Sequence, residues 1–242
     1  MSGHSKWATI KRKKAKIDAS RGKVFTRLAR DIIVAAREGG GDPEANFRLK
    51  SAIARAKEAN IPSDNIARAI ARGTGEGGGA SFEEVIYEGY GPGGVAILVS
   101  ALTDNKNRTA AEMRHIFSRH GGNLGEAGCV SWMFAPKGLL ELDREGLRLS
   151  EDDVLLMALD AGAEDFRTEE DVYEVVTEPA DMETVRERLA GQGLAFTGEM
   201  TMVPSATLQL PDEAAEKVVE LLELLEEHDD VQNVYANVDV GI

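Results

Sequence analysis

Apolar residues recur at helical spacing through the first third of the chain. Phe25, Leu28, Ile32 and Ala36 follow one another at three- or four-residue intervals, the period of one helix face, and the run stops at the glycines of 39–41. A second helix is predicted to begin with Asp42 as its N-cap, followed by Pro43 and Glu44 in the first turn. The predicted second and third helices carry short apolar faces, Ala45, Leu49, Ala52, Ala56 and Ala59 in the second and Ile66, Ala69 and Ile70 in the third, which ends at Gly73.

Five glycines interrupt the pattern between residues 73 and 81. A phosphate-binding loop would need a strand before it and a Gly-Lys-Ser/Thr sequence at its end, and the segment has neither. A flexible linker is the better interpretation, because the composition of the chain changes at the same point.

Beyond residue 81 short strand-like runs alternate with amphipathic helices. Strands are predicted at 85–87, 95–102, 130–134, 139–142, 163–167, 172–176, 196–203, 206–210 and 231–238, and helices around 110–117, 152–159, 182–189 and 212–227. The order within 139–203 is β-α-β-β-α-β, a ferredoxin-like unit. The flanking pieces 95–134 and 206–238 predict a second such unit into which the first is inserted.

The predicted fold class is therefore α+β, with an amino-terminal helical domain and two ferredoxin-like domains. The domain boundaries that we expect are 1–80 for the helical domain with its linker, 81–134 plus 204–242 for the first α+β domain, and 135–203 for the inserted one.

Charge is segregated along this chain. The first 80 residues hold 17 basic and 8 acidic residues, a net charge of +9, whereas the remainder holds 11 basic and 34 acidic residues, a net charge of −23. Residues 6–30 alone carry ten Lys or Arg and one acid. Such segregation favours a polyanionic partner for the amino-terminal part, and nucleic acid is the leading candidate.

Other bulk features narrow the class of protein. The single cysteine, Cys129, excludes an intramolecular disulfide and is interpreted as a small buried apolar residue. The longest apolar run, 95–102, is far too short to span a bilayer, and the basic amino terminus lacks the apolar core of a secretory signal. We expect a cytoplasmic protein without a membrane contact.

The basic stretch is the first candidate site, with side chains that could neutralise phosphates and release counterions. Trp7 has two interpretations of equal weight, stacking on an unpaired base or anchoring the segment to the helical core. No helix with regularly spaced base-reading residues is evident. The candidate nucleic-acid-binding residues are His4, Lys6, Trp7, Lys11, Arg12, Lys13, Lys14, Lys16, Arg21, Lys23, Arg27 and Arg30.

A dense polar loop between a predicted strand and a helix is the second candidate. Polar side chains at a helix amino terminus suit an anion, although a simple N-cap by Asn105 or Asn107 accounts for one of them. The residues of this possible second contact loop are Thr103, Asp104, Asn105, Asn107, Arg108 and Thr109. A third segment, 121–128, has four glycines in eight positions; a helix stop with a loop into a strand explains most of them better than a partner does.

No catalytic or metal-binding constellation is evident. The four histidines are scattered, and neither His-Glu-x-x-His nor Cys-x-x-Cys occurs. The acids at 223–230 are interpreted as a solvated helix face and its exit. We therefore expect a protein that is not an enzyme and that uses no cofactor or metal.

Five ordered segments carry a family resemblance that runs essentially from end to end. These segments are GHSKWATIKRKKAKIDASRGKVF, DPEANFRLKSAIARAKEANIPSDNIARAI, YEGYGPGG, TDNKNRT and GGNLGEAGCVSWMF. Together they resemble the YebC/PmpR family. The motif positions that the resemblance marks are His4, Ser5, Lys6 and Trp7 in the opening and Thr103, Asp104, Asn105, Asn107, Arg108 and Thr109 in the loop.

The resemblance implies a three-domain fold and a role in gene expression. Members of the family are usually described as probable transcriptional regulators that bind DNA in the cytoplasm. Mitochondrial relatives act as translational activators of cytochrome oxidase subunit synthesis, and a ribosome-associated role in easing difficult elongation has been put forward for bacterial members. Two hypotheses follow, a DNA-binding transcriptional regulator and a translation factor that binds ribosomal RNA or the ribosome. A hydrolase or transferase that uses the polar loop is a third and much weaker one.

Overall fold

A computed structural model describes residues 21–75, 82–169 and 171–239, with side chains described from residue 24 onward. Within these ranges seven α-helices and ten strands follow one another. The helices are α1 Arg21–Gly39, α2 Phe47–Glu58, α3 Ser63–Gly73, α4 Lys106–Arg119, α5 Glu151–Ala161, α6 Met182–Gly191 and α7 Asp212–Glu227. The strands are β1 Glu83–Tyr90, β2 Ala96–Thr103, β3 Asn123–Leu124, β4 Phe134–Asp143, β5 Asp165–Thr168, β6 Val172–Thr177, β7 Thr197–Pro204, β8 Leu208–Gln209, β9 Val231–Ala236 and β10 Val238–Asp239.

The three amino-terminal helices pack around small apolar side chains. Their shared core includes Ile32, Leu49, Ala52 and Ala56, each at most 1% exposed. The end of helix α3 packs closely against α1. A Cβ at Gly73 would lie only 2.4 Å from the Ile33 carbonyl oxygen, so glycine is required at this contact. The alanine-rich faces predicted from the sequence thus allow close approach of the helices.

The start of α2 corrects one prediction. The N-cap is Asn46 and not Asp42, and residues 43–45 form a turn. The Asn46 side chain accepts a hydrogen bond from the Leu49 amide at 3.1 Å and donates to the carbonyls of Ala35 at 2.7 Å and Gly40 at 2.8 Å. Asn46 is favoured as the cap because it also joins the end of α1, whereas the Asp42 carboxylate accepts the exposed Glu44 amide.

The first sheet has the order β3-β1-β2-β9, and every pairing in it is antiparallel. Helices α4 and α7 supply Phe117, Leu221 and Leu225 to its core. Three details differ from the sequence predictions. Strand β8, predicted as part of this unit, lies outside the sheet and pairs with β10 in a separate parallel pair. Strand β1, which the prediction from 95–134 and 206–238 left out, lies in the centre of the sheet, and residues 131–133 form a 3₁₀ turn where a strand was expected.

The second sheet has the order β5-β6-β4-β7 and belongs to a β-α-β-β-α-β segment. This is the ferredoxin-like arrangement predicted from residues 139–203. Its core gathers Leu140, Val154, Val175 and Leu189, all fully buried.

The chain divides into two compact units, residues 1–133 with 206–242 and residues 134–205. The second unit is inserted in the sequence of the first, and the mixed helix-and-sheet fold class predicted from the sequence is confirmed. The finer boundaries of three domains stay a prediction.

Candidate nucleic-acid interface and the Asp230 cluster

Most of the candidate nucleic-acid-binding residues lie outside the described part of the chain. These are His4, Lys6, Trp7, Lys11, Arg12, Lys13, Lys14 and Lys16. The backbone of Arg21 and Lys23 forms the first turn of α1, but their side chains are not described. The nucleic-acid contacts of all ten therefore stay predictions.

Arg27 and Arg30 face acidic groups of the same unit. The Nη1 of Arg30 lies 2.9 Å from Asp230 Oδ1 and also donates to the Asp229 carbonyl, and its side chain is only 16% exposed. The guanidinium also stacks over the Phe82 ring, 5.2 Å from the ring centroid. Burial lowers the pKa of Arg27 below its ordinary value, and the nearby charge of Glu226 opposes this shift. A phosphate at Arg30 would have to compete with Asp230.

The polar loop of residues 103–109 is a folded N-terminal cap of α4. Asn105 is the N-cap, and its side chain accepts a hydrogen bond from the Arg108 amide at 3.1 Å. The hydroxyl groups of Thr103 and Thr109 lie 2.7 Å apart, and Thr103 Oγ1 accepts the Asn105 amide at 2.9 Å. Asp104 accepts a hydrogen bond from Arg108 at 3.0 Å. The structure therefore brings together five of the six predicted loop residues, and Asn107 remains exposed in the first turn.

Asp230 is the centre of this arrangement. Its Oδ2 accepts hydrogen bonds from Arg108 Nη2 and Thr109 Oγ1, both at 2.8 Å, while Oδ1 accepts Arg30. The Asp230 side chain is 4% exposed, which corrects its interpretation as part of a solvated acidic face. One carboxylate thus joins α1, the α4 cap and the turn before β9.

The electrostatics of Asp230 follow from its partners. Burial alone would raise the pKa of its carboxyl group, but the hydrogen bonds from Arg108 and Thr109 and the charge of Arg30 outweigh burial and hold the pKa below its ordinary value. Hydrogen bonding to Asp230 raises the pKa of Arg108 in turn. Asp230 is therefore an ionised group whose charge two arginines compensate and to which a threonine hydroxyl donates.

A histidine and a second acid border this cluster. Glu112, His228 and Asp230 bring ligand-type atoms within 4.8 Å of one another. However, the ring nitrogens of His228 lie 2.9 Å from Glu112 Oε2 and 3.1 Å from the Asp230 amide, which donates to Nδ1. Both Asp230 oxygens already accept cationic or hydroxyl donors. This donor set suits a hydrogen-bonded cluster better than a cation.

The glycine-rich segment before β4 is organised by Glu88, which sequence reasoning did not single out. Glu88 is 6% exposed, and its carboxylate accepts three backbone hydrogen bonds at 2.8 Å, from Gly128, Val130 and Ser131. Burial alone would raise the pKa of Glu88, and these hydrogen bonds outweigh it and lower the pKa. The loop holds Trp132 outward, 73% exposed, with its indole N–H donating to the Cys129 carbonyl at 3.1 Å.

Close approach of neighbouring backbone segments also explains some of the glycines in this region. A Cβ at Gly89 would lie 2.6 Å from the Asn123 oxygen, and one at Gly122 would lie 2.7 Å from the Tyr90 oxygen. The close partner is therefore the neighbouring strand of the same chain.

None of the seven described helices contains an apolar stretch of the length that a bilayer span requires.

Comparison with known proteins covers nearly the whole chain. The family model for the TACO1/YebC protein N-terminal domain matches residues 5–76, and the model for the TACO1/YebC second and third domain matches residues 82–238. A probable transcriptional regulatory protein of Pelotomaculum thermopropionicum is 61% identical over 241 residues, 99% of each chain. A protein of the same description from Desulforamulus reducens is 59% identical over 238 residues, 98% of each chain.

A solved structure agrees with these matches. The crystal structure of a conserved hypothetical protein from Aquifex aeolicus superposes with a TM-score of 0.85 at 50% identity and covers 94% of each chain. The resemblance predicted from the five sequence segments is confirmed by matches of this extent, and the chain belongs to the TACO1/YebC family.

Proposed function

We propose that this protein is a non-enzymatic, cytoplasmic regulator of gene expression that binds nucleic acid through its basic amino-terminal segment. The observation that carries the proposal is charge segregation, +9 in the first 80 residues against −23 in the remainder. The acidic part repels a polyanion, so phosphate contact concentrates on the basic segment. The relatives described above as probable transcriptional regulatory proteins support the regulatory role.

DNA is the partner that those descriptions favour, and transcription is the process. RNA is the second candidate, with the chain acting as a ribosome-associated translation factor. The absence of a regular base-reading pattern in the sequence favours this second function, because structured RNA is recognised largely by shape and by unpaired bases. Both functions require the same basic surface.

Charge reversal of the basic segment tests the shared part of the proposal. The variant changes Lys11, Arg12, Lys13 and Lys14 to Glu, and binding to labelled duplex DNA and to structured RNA is measured at several salt concentrations. We expect the affinity for both probes to fall below detection. In the parent chain each phosphate contact contributes about −0.9 to the logarithmic salt slope on duplex DNA.

A matched control separates local contact from net charge. It reverses four exposed cations of the acidic part, Arg114, Arg119, Arg148 and Lys217, and so changes the net charge by the same amount. Binding that survives in this control and is lost in the first variant supports the proposal. Equal affinities in the two variants would refute it.

Crosslinking in cells then distinguishes the two functions. Crosslinks at discrete promoter DNA would establish the transcriptional function. Crosslinks concentrated in ribosomal RNA, and lost on reversal of the basic segment, would establish the translational one.

A further inference from the structure

Helix α2 begins with an aromatic side chain that faces away from the helical core. Phe47 is 67% exposed, whereas Leu49, two residues later, is fully buried. Two residues correspond to about 200° around an α-helix, so the Phe47 ring lies on the side opposite the buried stripe of Leu49, Ala52 and Ala56. Packing of the three helices therefore does not account for this ring.

Positive charge surrounds the ring along α2. The helix holds Arg48, Lys50, Arg55 and Lys57 against one acid, Glu58. Arg48 pairs with Glu38 and Glu84, and Arg55 lies 3.4 Å from Asp31, so these two guanidinium groups have internal partners.

Lys50 and Lys57 are more available than these arginines for contact with a ligand. Lys50 Nζ lies 3.2 Å from Glu44 Oε2, but both side chains are more than half exposed, and such a pair is weak. Lys57 is exposed and forms no ion pair within the described part of the chain. Three and ten residues after Phe47, the two lysines lie on one flank of its ring, about 10.5 Å apart along the helix axis.

We propose that this outer face of α2, defined by Phe47, Lys50 and Lys57, binds a single-stranded stretch of the nucleic acid partner. An unpaired base stacks on the Phe47 ring, and the two ammonium groups contact phosphates of the nucleotides that continue from that base along the lysine flank of the helix. Charge complementarity selects this occupant, because a lone aromatic ring flanked by cations offers little apolar area to a protein. The inference rests on the proposed function and adds unpaired bases to what the helical part recognises.

Fluorescence anisotropy with labelled oligouridine, oligodeoxythymidine and a DNA duplex tests this inference in the full-length chain. Phe47→Ala should weaken binding to the single strands by about 5- to 150-fold, the range that corresponds to about 1–3 kcal/mol for one stacked base. Binding to the duplex should be unchanged, because its bases are already stacked on one another. Phe47→Trp should keep single-strand binding, and Phe47→Leu should lose it, because only the former retains a flat aromatic face.

The lysines have a separate signature. Lys50→Ala and Lys57→Ala should each reduce the logarithmic salt slope on single strands by about 0.7, whereas Phe47→Ala leaves that slope in place. Leu156→Ala is the matched control, since Leu156 is also an exposed apolar helix residue, at 60%, but belongs to the acidic second unit. It should bind every probe like the parent.

The outcomes separate this inference from the proposed function. The inference would be overturned if Phe47→Ala bound single strands within twofold of the parent, or if Leu156→Ala lost as much affinity. In either case, loss of binding on reversal of residues 11–14 would still uphold the proposed function. A parent chain that binds none of the three probes would overturn both. Circular dichroism should show parental helix content in Phe47→Ala, because Phe47 is already 67% exposed and lies outside the buried stripe of the helix.

Discussion

Asp230 offers the sharpest test of how the first unit is held together. Asp230→Asn keeps the size of the side chain but removes its charge, which leaves Arg30 and Arg108 to share a neutral amide. Arg30 is the more buried of the two, with a side chain 16% exposed, and cannot recover full hydration. The amide also replaces one carboxylate oxygen by an NH2 group. That group is a hydrogen-bond donor and faces Arg30, Arg108 or Thr109, which are donors themselves.

The magnitude follows from the buried side of this cluster. A hydrogen bond to a charged group contributes about 1.5–3 kcal/mol to stability, and removal of one partner of a buried ion pair costs about 3–5 kcal/mol. We therefore expect Asp230→Asn to lower the free energy of unfolding of the first unit by about 3–5 kcal/mol. Arg108 is 44% exposed, so water can hydrate its guanidinium once the carboxylate charge is removed. Its lost pairing therefore adds no further free energy to this loss of stability.

Urea denaturation, followed by circular dichroism, measures this loss as a shift in midpoint. Asp229→Asn is the control, because Asp229 is the exposed neighbour and accepts Arg30 through its backbone carbonyl, which the substitution keeps. A loss below about 1 kcal/mol in Asp230→Asn, or one equal to that of Asp229→Asn, would refute the structural role that we assign to the carboxylate.

The pH dependence has a defined sign. The folded pKa of Asp230 lies below its ordinary value of 3.8, so the unfolded chain binds the proton more readily. The stabilisation is then fully present above the unfolded pKa and is lost as the pH falls through the folded one. Acid denaturation of the parent should therefore steepen below about pH 4 relative to Asp230→Asn.

Two further substitutions test other buried polar groups. Glu88→Gln should destabilise the first unit by about 2–3 kcal/mol, because it weakens three backbone hydrogen bonds. It should also shift the Trp132 emission, measured in a Trp7→Phe background. An equal effect of Glu126→Gln, which changes an exposed acid in the same loop, would contradict this. Asn46→Ala should cost about 2–4 kcal/mol by thermal or urea unfolding, since it removes the N-cap and leaves two carbonyls unpaired. Asp42→Ala should cost less than about 1 kcal/mol, and the reverse order would restore Asp42 as the cap.

The sequence determined the secondary structure where local pattern and burial agree. The predicted helix over 212–227 has the bounds of α7, because its apolar stripe of Val218, Leu221, Leu222 and Leu225 repeats at the helical period and all four residues are buried. The β-α-β-β-α-β order of the second unit could be predicted for the same reason. Charge segregation is likewise a property of composition and needs no fold to be recognised.

Only the tertiary structure decided which polar groups are buried. Asp230 follows Glu226, Glu227 and Asp229 in the sequence, and such a run is typical of a solvated surface. Its partners Arg30 and Arg108 are 200 and 122 residues away, so no local pattern could reveal the pairing. The α2 cap was missed for a similar reason: Asn46 is preferred over Asp42 because its amide also reaches the Ala35 carbonyl in the preceding helix. Local periodicity thus fixes which segments fold as helices and strands, whereas the environment of an ionised or amide side chain depends on segments that meet only when the chain has folded.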